Sequence, residues 1–151
     1  MYDVKVLKTV DECRRVMARA KKQNNDEFYQ LVFRRLCELG GNEHDDPANP
    51  LVRDFYTTLT AYEQLLTEKN GKTTTASRTR QKIKNKGVKQ SLIDWAMKVD
   101  ETPGFNLLVS AGLHEFTGEY VVLRYASQFP SEVVTKARER LMQHGIPLPQ
   151  A

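Results

Sequence analysis

A capping residue followed by apolar side chains at helical spacing recurs along almost the whole chain, and this pattern restricts the fold to packed helices. Thr9-Val10-Asp11-Glu12 has the form of a capping box, and Val10, Cys13, Val16, Met17 and Ala20 follow on one face. Asn25 or Asp26 opens a second segment, with Phe28, Leu31, Val32, Leu36 and Leu39 along one side and Gly40-Gly41 expected to end it. Asn49 precedes Pro50, whose missing N–H costs nothing at a first helical position; Leu51, Phe55, Leu59, Tyr62 and Leu66 then extend that helix towards Lys69, before Asn70-Gly71. Shorter helices are expected from Ala76 to Lys86, closed by Gly87, and from Lys89 to Val99. Another begins at Thr102-Pro103, and a last one at Pro130-Ser131 with Val133, Val134, Ala137 and Leu141 inward.

One segment, 117–128, reads two ways. Val121, Leu123 and Tyr125 alternate as in a strand, whereas Thr117 ahead of Gly118-Glu119 reads as a helix start. A lone strand finds no partner elsewhere in the chain, so helix is expected. The result is a compact all-α single domain, residues 1–151, of about seven or eight helices. Its expected parts are an N-terminal helical part (1–70), a basic segment (71–99) and C-terminal helices (100–151).

With 151 residues, 40% of them apolar, the chain can bury one core. No apolar run approaches the ~20 residues that span a bilayer, so no membrane association is expected. The start, Met1-Tyr2-Asp3-Val4-Lys5, lacks the apolar centre of a signal peptide, and a cytoplasmic protein is expected. Cys13 and Cys37 both fall on apolar helix faces and read as buried, reduced thiols; a disulfide between neighbouring helices is the alternative.

Charge is distributed unevenly. Between Lys69 and Ile93 stand eight basic residues and no acidic one: Lys69, Lys72, Arg78, Arg80, Lys82, Lys84, Lys86 and Lys89. The remaining residues hold 15 basic against 19 acidic side chains, so the net +4 conceals a cationic segment on an acidic body. On a helix, Arg78, Lys82, Lys86 and Lys89 fall within about 80° of one another, forming a ridge. Like charges at four-residue spacing oppose a helix unless something supplies negative charge, and Thr73, Thr74, Thr75, Ser77 and Thr79 add hydroxyls that bond phosphate oxygens. Nucleic acid, DNA ahead of RNA, is the expected partner, with a regulatory or accessory role ahead of catalysis.

Residues 79–98, from Thr79-Arg80-Gln81-Lys82 through Gly87-Val88-Lys89-Gln90-Ser91 to Ile93 and Trp95, resemble a helix-turn-helix element. Gly87, Val88 and Ile93 stand where that family has its turn glycine and locking apolar residues, although Ile83 occupies a position that is usually small. The resemblance implies that Lys89, Gln90, Ser91 and Asp94 face bases while Arg78, Arg80, Lys82 and Lys86 hold phosphates. Homodimerisation would supplement so short a reader helix.

Two rival functions belong to other classes. Glu43, His44, Asp45 and Asp46 offer hard-cation ligands for a metal-dependent nuclease, although an acidic turn before Pro47 is the commoner explanation. A protein-interaction module with an acidic partner is the other. Arg138 and His144 resemble the Arg…His pair of small all-helical ribonucleases of the HEPN class; an exposed helix end explains them too. No cofactor motif appears: Gly71-Lys72-Thr73 lacks the earlier glycine and the strand of a phosphate loop.

Overall fold

The computed structural model describes residues 3–42 and 48–149. Among them are eight α-helices and no strand: α1 (Val10–Lys22), α2 (Asp26–Gly41), α3 (Pro50–Asn70), α4 (Ser77–Lys86), α5 (Val88–Met97), α6 (Pro103–Ser110), α7 (Gly118–Arg124) and α8 (Ser131–Gln143). The fold is all-α, as the periodicity requires. No helix among the described residues is long and apolar enough to cross a membrane.

Local chemistry sets most of the helix starts. Thr9 Oγ1 accepts from Glu12 N at 3.1 Å, and the Glu12 carboxylate accepts from Lys8 N at 3.2 Å, one residue earlier than in a reciprocal capping box. Asn25, Asn49 and Thr102 cap α2, α3 and α6 by accepting from Phe28, Val52 and Phe105 N–H groups. Thr117 does the same for α7 through Tyr120 N, so the segment 117–128 is helical, continuing into a 3-10 turn at Ala126–Gln128.

The chain divides into two compact units, Met1–Ala61 and Tyr62–Ala151, with the boundary inside α3. In the first, Cys13, Met17, Val32, Phe33, Leu36, Cys37, Phe55 and Leu59 are buried, and Arg35 Nε donates to Leu7 O at 3.0 Å, fastening the N-terminal segment. Leu31, expected to point inward, is half exposed; Phe33 and Cys37 take the inner face instead. Both cysteines are free thiols whose ionisation burial pushes upward, which keeps them protonated and unreactive.

Gly40 and Gly41 do not end α2 as expected. Both lie within the helix, buried, and α2 is capped at Asn42. Their missing side chains let α3 approach: a Cβ on Gly40 would stand 2.0 Å from Thr60 Oγ1, and one on Gly41 2.2 Å from Thr57 Oγ1. Gly40→Ala therefore sets about 1 kcal/mol of gained helix propensity against a clash with a rigid β-branched neighbour. We expect a net loss of about 2 kcal/mol in urea unfolding. A stabilised Gly40→Ala chain would show that the two helices do not meet this closely.

In the second unit, Leu92, Phe105, Leu108, Val121, Val122, Val133 and Leu141 are buried. Gly118 brings α7 against α5, where a Cβ would meet the Trp95 ring at 2.9 Å. At its centre the Arg140 guanidinium of α8 donates to Glu119 of α7 at 2.9 Å, to Trp95 O at 3.0 Å, and to Lys98 O just past α5. One buried side chain thus joins three helices.

Candidate nucleic-acid interface

The basic segment spans the end of α3, a turn, α4 and the start of α5, all within the second unit. Gly71, at φ +72°, takes the left-handed conformation that leaves α3. The following residues are tied back. Thr67 Oγ1 accepts from Thr74 N at 2.9 Å, and Asn70 Nδ2 donates to Thr74 Oγ1 at 3.2 Å. Thr73, Thr75 and Ser77 remain exposed.

Glu63, on α3 and buried, fixes the start of α4. Its carboxylate accepts from Ala76 N at 2.7 Å and from Arg80 through two bonds, at 2.7 and 2.6 Å. A forked pair on a buried carboxylate is strong and geometrically exacting. Arg80, expected to hold phosphate, instead holds α4 to α3.

α4 has no buried residue, so the helix is a surface ridge. It meets α5 through a single residue, Gly87 (φ +88°), whereas helix-turn-helix pairs are joined by three or four. Across this corner Asp94 accepts from Gln90 Nε2 at 2.8 Å and pairs with Lys82 Nζ at 3.0 Å and Lys86 Nζ at 3.6 Å. The hydrogen bond from Gln90, then that from Lys82, holds the Asp94 carboxyl below its usual range. Ser91, expected at a base-reading surface, is fully buried, with its Oγ donating to Gly87 O at 2.8 Å. It secures the corner and cannot reach a base. Gln90 is exposed but committed to Asp94.

The expected ridge therefore divides. Arg80, Lys82 and Lys86 have carboxylate partners. Lys69, Lys72, Arg78, Lys84 and Lys89 are exposed and form no ion pair among the described residues. The Lys86 pair is long and its side chain 57% exposed, and surface pairs are worth only ~0–1 kcal/mol, so a phosphate can compete for it. Arg80 on buried Glu63 is not available in that way. The sequence shows the cations, and Asp94 was expected to face bases; the pairing of Glu63 with Arg80 and of Asp94 with Lys82 and Lys86 was not legible, because neither acid stands at helical spacing from those cations.

Glu43, His44, Asp45 and Asp46 lie outside the described residues, and among the described residues no group of three His, Cys, Asp or Glu side chains could hold a metal. His144 Nε2 contacts Glu101 Oε1 at 2.7 Å, and its ring makes a T-shaped contact with that of Phe105, the placing of a helix-end histidine. No protein-family model, curated protein or solved structure matches this chain.

Proposed function

We propose that the protein binds nucleic acid, duplex DNA ahead of RNA, through phosphate contacts from Lys69, Lys72, Arg78, Lys84 and Lys89, with Lys86 recruited from Asp94. The observation that carries this reading is the set of five exposed cations without carboxylate partners among the described residues, on a segment of 25 residues that contains no acid. Like charges held together in this way repel one another, and a polyanion relieves that repulsion while releasing condensed counterions. With Ser91 buried and Gln90 and Asp94 engaged with each other, contact to the backbone is favoured over the reading of bases. A regulatory or accessory role in the cytoplasm follows; catalysis forms no part of this reading.

The salt dependence of binding tests it. If about four of these cations touch phosphates, log K falls with log salt with a slope of roughly −3.6 on duplex DNA. Fluorescence anisotropy of a labelled duplex between low and physiological salt gives that slope. A slope near zero, or no binding at micromolar protein, would refute the proposal.

A further inference from the structure

A cleft of about 350 Å³ opens beside the first of the unpaired cations. α3 contributes Tyr62, Leu66 and Lys69, spaced four and then three residues apart and so on one helix face. α6 contributes Leu107, with Asn106 and Ser110 one turn apart at the exposed edge. Its volume lies within the range of small-molecule sites, roughly 300–1,000 Å³.

The wall chemistry is specific. Tyr62, Leu66 and Leu107 give flat apolar surface, and the Tyr62 ring is backed by α6 at Gly104, where a Cβ would stand 3.4 Å from it. The Tyr62 hydroxyl has no hydrogen-bond partner among the described residues, and burial pushes its ionisation upward. Asn106 supplies both a donor and an acceptor, and Ser110 a hydroxyl, at the rim. Lys69 stands at the mouth, exposed and without an ion pair among the described residues. A planar ring with a polar edge, joined to a phosphate, matches that order of apolar wall, polar rim and cation.

We propose that this cleft receives the base of one unpaired nucleotide, stacked against Tyr62 and edge-bonded by Asn106 and Ser110, while Lys69 holds its phosphate. This rests on the phosphate-binding reading above and extends it: the ridge grips a duplex and the cleft takes a base from an adjoining single strand. Stacking on an aromatic side chain is worth about 1–3 kcal/mol per base, so an overhang raises affinity about tenfold or more over a blunt duplex.

The test compares a labelled blunt duplex with the same duplex carrying a short single-stranded overhang, using the wild-type chain and the Ser110→Met and Asn106→Met variants, whose long apolar side chains offer no ring to stack on. Both substitutions start from exposed positions and fill the cleft from its rim. The expected result is a preference of about tenfold for the overhang in the wild type, lost in either variant that retains wild-type helicity, with blunt-duplex affinity unchanged. Equal affinity of the wild type for the two probes would overturn the cleft proposal and leave the ridge standing, as would a preference that survives both variants. Absence of binding to either probe would remove the ridge as well. A nucleoside monophosphate is titrated separately; tight binding of it without any overhang preference would assign the cleft to a free nucleotide and overturn the strand assignment.

Discussion

Replacing Arg78, Lys84 and Lys89 together with glutamate is expected to abolish the proposed duplex binding while leaving the fold intact. At about 0.1 M salt each phosphate contact contributes nearly one log unit to affinity, because log K scales with salt as about −0.9 per contact; three lost contacts weaken binding roughly a thousandfold. All three side chains are exposed and form no ion pair among the described residues, and α4 buries nothing, so the cost in stability stays within about 0.5 kcal/mol. Lys82 and Arg80 would be poorer choices. Reversing Arg80 would strand the buried Glu63 carboxylate and release α4, confusing lost charge with lost structure.

The same series has a member of opposite sign. Asp94→Asn removes the carboxylate that occupies Lys82 and Lys86, so affinity rises, by up to about tenfold for one additional phosphate contact. Anisotropy titrations of the triple variant and of Asp94→Asn at one salt concentration check both directions. Unchanged affinity in the triple variant would remove the ridge from consideration.

The largest effect on stability is expected at Arg140. Arg140→Met deprives Glu119 of its counter-charge and leaves the carbonyls of Trp95 and Lys98 without their donor. Glu119 is 2% exposed, so the carboxylate cannot recover solvation. Breaking a buried pair from one side costs about 3–5 kcal/mol, a large part of the 5–15 kcal/mol typical of a domain. Replacing both partners, Arg140→Met with Glu119→Leu, is expected to restore part of the loss, since no buried charge is left alone while the two carbonyls still lack their Arg140 donor.

The pH dependence distinguishes this cause from simple loss of packing. Burial raises the Glu119 carboxyl above its ordinary value, and the hydrogen bond and charge of Arg140 pull it back down. Without Arg140 the folded-state value climbs further above the unfolded one. The folded variant then takes up a proton more readily than its unfolded chain, and its deficit relative to wild type shrinks as pH falls from neutral. Urea unfolding followed by the fluorescence of Trp95, the chain's one tryptophan, reports the loss. A deficit below about 1 kcal/mol would place the Arg140–Glu119 pair outside the determinants of stability, and a larger one that does not vary with pH would assign the loss to packing and to the two carbonyls rather than to a stranded carboxylate.

The helices of this protein are local events. Thr9, Asn25, Asn49, Thr102 and Thr117 each satisfy an N–H three residues ahead, a reach encoded in a few consecutive letters, and for that reason the all-α class and most helix starts were legible in the chain alone. The same holds for 117–128, where the Thr117 cap outweighs an alternating pattern with no strand to pair. Gly40-Gly41 misleads because glycine serves two ends, left-handed caps and close helix approach, and only the position of Thr57 and Thr60 decides between them. The cleft beside Lys69 was equally hidden, since its two walls come from separate stretches of the sequence, 62–69 and 103–110.

The amino-acid order by itself determined the helices and a run of eight cations free of acids. Tertiary structure decided which of those cations stay open. Glu63 takes Arg80 from 17 residues away, and Asp94 reaches Lys82 and Lys86 across the corner at Gly87. Charge pairing within one helix acts over three or four residues, whereas these pairings exist only once α3, α4 and α5 have been brought together.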